Sequence, residues 1–223
     1  MNTKLLLEAI LKFLCGIILV GVLIFLPAGT LNYTNGWIFM GILFIPMLIA
    51  GIVMMIKNPT LLKSRLDAKE KQKEQSIIIK LSGLMFIIGF ILSGLDYRYN
   101  WFPLPKIVSY IFVIIFLIAY ILWAEVLREN TYLSRTIKVE ENQKVIDTGL
   151  YRIVRHPMYT ASMLLFLSMP FVLGSLISFC VFLFYPILII IRIINEEKIL
   201  EKELNGYIEY KQKVKYRLIP FIW

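Results

Sequence analysis

An all-α, polytopic helical membrane protein is the fold class this sequence predicts. Three observations carry it: an excess of apolar residues, their division into blocks of spanning length, and basic residues gathered between alternate blocks. Of the 223 residues, 59% are hydrophobic, against roughly 45–50% in ordinary soluble domains, and the mean hydropathy is +0.75. A bilayer-crossing helix needs about 20 apolar residues. Phe13–Leu31, Trp37–Ile56, Ile77–Leu95 and Ile107–Leu127 meet that length with few or no charges. Met158–Leu173 and Leu176–Ile191 are shorter and joined only by Gly174-Ser175, so they read as a helical hairpin. The pattern predicts about six transmembrane helices.

The net charge is +9, and its placement sets a topology. Lys57, Lys63, Arg65, Lys69, Lys71 and Lys73 separate the second block from the third. Arg128, Arg135, Lys138, Lys144, Arg152 and Arg155 separate the fourth from the fifth, and Lys198, Lys202, Lys211, Lys213, Lys215 and Arg217 follow the sixth. The other connections carry few cations. Basic residues collect on the cytoplasmic side of membrane proteins, so an even number of crossings with both termini cytoplasmic puts every basic segment on one side. Charges that flank apolar spans point to membrane lipids rather than nucleic acid. Lys4 and Lys12 precede the first block without a small-residue cleavage site after it, which reads as a retained helix and not a removed signal peptide. Cys15 and Cys180 both lie inside apolar blocks, and no CxxC or other metal-ligating pattern occurs. The Lys- and Ile-rich composition points to a bacterial plasma membrane.

Pro27 and Pro46 are expected to kink their spans, and Trp37, Tyr97, Tyr99 and Trp101 to anchor span ends at the interface. Lys57–Gln75 reads as a surface loop with one or two amphipathic turns. Residues 1–127 thus form four N-terminal membrane helices. Composition changes after Glu125, and residues 128–223 form the remainder of one integrated domain. The polar stretch from Glu125 to Pro157 has short β-prone pieces at Thr136–Val139 and Lys144–Ile146 around a turn at Glu140–Gln143. Long connections of this kind are usually functional. Past Ile191 the helical period continues, with Leu200, Leu204, Tyr207 and Ile208 on one face. A break near Asn205-Gly206 precedes a last short helix.

The residues able to do chemistry collect in this C-terminal part. His156, the one histidine, stands before Pro157, which suits a first helical turn because its missing N–H would be unpaired there. His156 is therefore an N-cap-like residue, and a plain polar cap is the simplest account of it. Arg192 and Glu196 are four apart and can pair on a helix, where an exposed pair contributes only tenths of a kcal/mol, about 0.3–0.5. Glu197 follows Glu196. Carboxylates near a membrane core are costly and mark functional sites. Because the hairpin is short, His156 at its start and Arg192/Glu196 at its end are expected at one membrane depth. The tyrosines and the polar loop would complete a pocket open to cytosol and lipid.

These residues also carry a resemblance. Gly149-Leu-Tyr-Arg-Ile-Val-Arg-His-Pro-Met-Tyr159, then Arg192-x3-Glu196-Glu197-x2-Leu200, Gly206-Tyr-x2-Tyr210, Tyr216-Arg217 and Pro220 resemble the isoprenylcysteine carboxyl methyltransferase and phospholipid methyltransferase superfamily. Arg128-Glu-Asn-Thr-Tyr-Leu-Ser is similar to the family's lead-in, so the likeness runs from Arg128 to Pro220. It implies an S-adenosylmethionine-dependent enzyme, and the chain contains no G-x-G of the soluble adenosine-cofactor turn. By position, it implies that the Gly149, Leu150 and Tyr151 backbone lies along the cofactor. His156 and Tyr159 would contact it, and Glu196 and Glu197 would hold its amino group or shape that pocket. Arg192 is then the candidate for steering an anionic acceptor, and His156 or Glu196 for taking a proton from an amine or hydroxyl acceptor. Three positions depart from the pattern. Leu150 replaces a proline, Asn205 an aromatic, and Ala161 a glycine, the last expected to narrow the space for the ligand.

The resemblance implies transfer of a methyl group to a lipophilic acceptor, an isoprenylcysteine carboxylate or a lipid amine, entering from the bilayer. Two other readings stay open: an NADPH-dependent membrane sterol or steroid reductase, whose C-terminal half is similar, and a non-catalytic transporter or structural subunit.

Overall fold

The computed structural model describes residues 3–67, 72–133, 139 and 142–223. Helix α1 (Thr3–Ala28) is followed by α2 (Thr34–Lys57), a short α3 (Pro59–Leu66), α4 (Lys73–Tyr99) and α5 (Lys106–Glu129). A 3₁₀ turn at Gly149–Arg152 leads into α6 (Pro157–Leu173), α7 (Leu176–Phe182), α8 (Phe184–Glu203) and α9 (Tyr207–Lys213). Among the described residues there is no β-strand, only an isolated bridge between Pro103 and Ser175. Lys144–Ile146, read as β-prone, has no regular structure and lines a cavity instead. Arg135, Lys138, Lys69, Lys71, and most of Thr136–Val139 and the Glu140–Gln143 turn lie outside the described residues.

Among the described residues, five segments are long and apolar enough to cross a membrane: α1, α2, Glu74–Tyr99, α5, and Leu176–Glu203, which joins α7 and α8. The chain is an all-α integral membrane protein. Its lipid-facing character shows in α1, which buries only Leu5, Ile24, Phe25 and Ala28 and leaves Leu7, Leu11, Ile18 and Leu26 exposed. That helix starts ten residues before the first apolar block, because Glu8 and Lys12 pair at 2.6 Å and Lys12 also donates to the carbonyl of Leu66 at 2.7 Å. In α3, the side chain of Asn58 accepts from Leu61 N at 3.0 Å and Pro59 opens the helix, a standard N-terminal arrangement.

The second arm of the hairpin is interrupted at Leu183. Pro186, near the start of α8, lacks the N–H that would bond back to Phe182, and the break falls there. Helix α6 has 17 residues, a length of about 26 Å, slightly less than a hydrocarbon core of about 30 Å. It nevertheless runs from one end of the bundle to the other. Its first residues meet the end of α8, through Tyr159 and Glu196. Its last residues meet the turns between the other spans. The Tyr33 hydroxyl donates to the Leu173 carbonyl, and Ser175 Oγ donates to Asp96 Oδ2 at 2.6 Å. Asp96 Oδ1 accepts from Phe102 N at 3.1 Å. Asn35 joins the same end, donating to Ser109 Oγ at 3.1 Å.

Between these ends the interior is aromatic. Phe39, Phe90, Phe116 and Phe182 are buried, and Phe86 packs edge-on against Phe166 and Phe182 with centroids 4.8 and 5.5 Å apart. α6 packs most extensively on α5, and α4 on α1. The α1–α4 approach depends on Gly94, where an added Cβ would lie 2.4 Å from the carbonyl oxygen of Ile24. Backbone cannot yield as a side-chain tip can. Gly94→Ala should therefore destabilise the bundle by about 1–3 kcal/mol and lower the thermal midpoint in detergent. Gly41→Ala, where a Cβ meets nothing within 4 Å, should leave the midpoint unchanged or raise it.

Candidate functional site

The site is built where α6 begins, α8 ends and the chain after α9 returns. His156 is the N-cap of α6, as its place before Pro157 predicts, yet its side chain does not cap the helix. Its ring turns to Glu197, with Nε2 3.2 Å from Oε1. Arg155 Nε donates to the same oxygen at 2.7 Å, and Arg217 Nε donates to Oε2 at 2.8 Å. Arg155 also donates through Nη1 to the carbonyls of Val214 and Lys215, at 2.7 and 2.8 Å. Main-chain bonds tie the same segments: Arg155 N to Tyr216 O and His156 N to Arg217 O, both 2.9 Å. The side chains of Arg155 and Glu197 are only 3% and 4% exposed. This ion pair is desolvated, and both carboxylate oxygens of Glu197 are engaged.

Glu196, the next residue, faces another way. Successive helical residues are about 100° apart, so Glu197 can lie behind the wall while Glu196 lines the cavity in front. Tyr159 Oη donates to Glu196 Oε2 at 2.5 Å and accepts from Arg192 Nε at 2.8 Å. Tyr159 thus bridges Arg192 and Glu196, whose four-residue spacing suggested a direct pair. His156, Tyr159, Arg192 and Glu196 come together along one cavity, where the start of α6 meets the end of α8.

The cavity they border holds about 420 Å³ and has two ends of different character. Its polar end is lined by Lys144, Tyr151, Arg155, His156, Glu196, Tyr207 and Tyr210. Its apolar arm runs between α4, α6 and α8, past Ile78, Ile79, Phe86, Phe166 and Ile189. Tyr185 and Ser162 form the arm's polar pair, the Tyr185 hydroxyl donating to Ser162 Oγ at 3.0 Å. The arm reaches the outer surface of the bundle at Gly83, an exposed residue of α4.

Of the candidate residues, Tyr151, His156, Tyr159, Arg192 and Glu196 line the cavity; Gly149, Leu150 and Glu197 do not. Gly149 has φ +46, a conformation that favours glycine, and an added Cβ would fall 1.5 Å from Glu129 Oε1, so that carboxylate would have to move. That carboxylate accepts from Leu150 N at 3.0 Å and fixes the 3₁₀ turn to the end of α5. The turn in turn presents Tyr151, whose hydroxyl accepts from Asn130 Nδ2 at 2.9 Å and whose carbonyl accepts from the Tyr210 hydroxyl at 2.7 Å. Burial is the main cause that pushes the phenols of Tyr151, Tyr207 and Tyr210 well above their ordinary range. All three are therefore neutral hydrogen-bond donors. Ala161 is fully buried and absent from the cavity wall, so it takes no space from a ligand.

Ile208, expected on the apolar face with Tyr207, is 54% exposed. The break at Leu204–Gly206, with Gly206 at φ +84, resets the helical phase, and Tyr210 takes the buried position. Arg155 and Arg217 carry more of the site than their sequence context suggested. Arg155 reads as one cation among many in a basic loop. The available signal was its place beside a helix that starts at the membrane, where an unpaired guanidinium would be costly.

These features define a membrane-embedded site with a polar head compartment and an apolar arm open to the side of the bundle. Residues 105–205 match the family model described as Phospholipid methyltransferase. The match runs from the residue before α5 to the residue after Leu204, and that segment is similar to this family of membrane methyltransferases. It covers a little under half of the chain; the α4 wall of the arm precedes it, and Tyr207, Tyr210 and Arg217 follow it. Comparison with curated proteins gives no match.

Replacing Glu197 by leucine leaves Arg155 buried without its counter-ion, which costs about 3–5 kcal/mol. Glu197→Leu should lower the thermal midpoint sharply. Glu201→Gln, which breaks a half-exposed pair with Lys211 at 2.5 Å, should change stability by less than about 1 kcal/mol.

Proposed function

We propose that the protein transfers a methyl group from S-adenosylmethionine to a lipophilic acceptor, with the donor in the polar compartment and the acceptor in the apolar arm. The observation that carries this reading is the single cavity with two chemically distinct ends, meeting at Tyr159, Arg192 and Glu196. The residues present suit the donor. It is a zwitterion with a sulfonium, and the compartment offers a carboxylate at Glu196 and cations at Arg155 and Arg192. A pocket of this volume is in the range of about 300–1,000 Å³ that cofactor-sized ligands occupy.

When bound, the donor supplies an electrophilic methyl carbon bonded to a positively charged sulfur. The chain's contribution is positioning, which can lower a barrier by roughly 7–11 kcal/mol when the reacting atoms are held close and aligned. Tyr159, fixed between Arg192 and Glu196, is the rigid point where both compartments meet. The roles carried over from the resemblance divide accordingly. Tyr151, His156, Tyr159 and Glu196 border the donor, while Arg192 orients a polar acceptor head. Gly149, Leu150 and Glu197 act behind the wall, by holding Tyr151, Arg155 and His156 in place. For an acceptor that must lose a proton, Glu196 or His156 is the receiving group. The exposed opening at Gly83 supports sideways entry of the acceptor from the bilayer. The basic connections support a cytoplasmic placement of this end of the bundle.

Calorimetric titration in mild detergent tests the reading. S-Adenosylhomocysteine should bind in the micromolar range, and Glu196→Gln should weaken it tenfold or more, about the loss of one charge-assisted hydrogen bond. NADPH should not bind; binding of NADPH alone would replace the proposal with a reductase. Gly83→Leu, which fills open space in the arm, should lower kcat/KM for a long-chain acceptor at least tenfold while S-adenosylhomocysteine affinity stays unchanged.

A further inference from the structure

Tyr207 begins α9, lines the polar compartment and is 4% exposed, and its buried hydroxyl has no hydrogen-bond partner among the described residues. Nearly every buried hydroxyl in a folded protein has a partner, because leaving one unmade costs about 1–3 kcal/mol. Its neighbour Tyr210, one turn on, has a normal partner in the Tyr151 carbonyl. The unpaired hydroxyl is therefore particular to Tyr207 and not a feature of α9 as a whole.

The surrounding charge indicates what that partner is. Two guanidiniums, Arg155 and Arg217, share the one carboxylate of Glu197. The cluster therefore carries one net positive charge, with Arg217 30% exposed beside the buried Arg155–Glu197 pair. Arg155 commits Nε to Glu197 and Nη1 to two carbonyls, and Nη2 makes no hydrogen bond among the described residues. Arg155 also lines the cavity. A neutral phenol that finds no acceptor among the described residues suits one brought by a ligand, and a spare guanidinium N–H suits a negative one. Glu196, of opposite sign, lines the same cavity. A compartment that offers hydrogen-bond donors, guanidiniums and a carboxylate fits an α-amino-acid zwitterion.

We infer that Tyr207 and Arg155 form the subsite for the α-carboxylate of the methyl donor, the Tyr207 hydroxyl and Arg155 Nη2 donating to its oxygens. This rests on the methyl-donor reading above. It assigns selection among adenosine ligands to one residue inside the matched segment, Arg155, and one beyond it, Tyr207. Ligands that carry the amino-acid tail are held by this pair, and those without it are not.

Tyr207→Phe removes one oxygen and nothing else, and two ligands separate the possible roles. S-Adenosylhomocysteine carries the amino-acid tail; 5′-methylthioadenosine keeps the adenosine and thioether without it. Both are titrated by calorimetry against the full-length protein and the variant, and the ligand-free thermal midpoints are compared. The expected result is an S-adenosylhomocysteine affinity lower by about tenfold or more, an unchanged response to methylthioadenosine, and a ligand-free midpoint that does not fall. Unchanged S-adenosylhomocysteine affinity, or equal loss for both ligands, overturns the subsite and leaves the methyl-donor reading intact. A midpoint lowered by several degrees also overturns it, since the hydroxyl would then have a partner in the protein. Wild-type protein that binds neither ligand overturns both.

Discussion

Glu197 lies in a poorly hydrated interior with both carboxylate oxygens engaged, and its contacts join three separate places in the chain. Arg155 and His156 precede α6, Glu197 is on α8, and Arg217 follows α9. A buried ion pair is a weak source of net stability, because desolvation offsets most of the Coulombic gain. What it supplies here is register. The carboxylate is satisfied only when the start of α6, the end of α8 and the returning tail meet at one level. At that level Tyr159 falls between Arg192 and Glu196. Glu197 thus governs the chemistry of its sequence neighbour Glu196 without bordering the cavity itself.

The opposite end of the bundle supplies a second set of constraints. Asp96, 3% exposed, receives Ser175 Oγ and Phe102 N, and Tyr33 reaches the last carbonyls of α6. A 17-residue helix has little length to spare in a bilayer, and short spans cost fractions of a kcal/mol per Å of mismatch. Polar contacts at both ends hold α6 across the bundle regardless. Between them, Phe86, Phe166 and Phe182 set the separation of α4 from α6 and α7. The apolar arm opens above these rings, where α4 presents Gly83 and the small Ser82 in place of further bulk.

The spans were legible in the sequence because lipid imposes a length and a composition on each of them, and the blocks from Trp37 to Leu127 became helices α2, α4 and α5. The hairpin was legible too, and so was the break at Asn205-Gly206. What composition does not encode is the direction in which a side chain points once helices are packed. Glu196 and Glu197 read as one acidic pair, yet helical geometry separates them into a cavity residue and a structural one. Arg155 and Arg217 read as cations of a basic surface, and only the return of the tail shows that they share a buried carboxylate. Ile208 was assigned to an apolar face by a periodicity that the backbone at Leu204–Gly206 interrupts. Gly149 was read as a ligand-contacting turn, and the side chain that needs its missing Cβ is Glu129, twenty residues earlier in sequence and next to it in space. The partner of Tyr207 is likewise beyond any sequence pattern, since an unsatisfied hydroxyl exists only in three dimensions.

One cavity serving two ligands is the centre of this account, and a structure determined with S-adenosylhomocysteine bound tests it most directly. The account predicts ligand density in the polar compartment, between Glu196 on one side and Arg155 and Tyr207 on the other. The sulfur should lie toward Tyr159, and the arm past Ile79 and Phe86 should remain clear. Density that fills the apolar arm, or that sits outside the compartment bordered by His156 and Glu196, would contradict it.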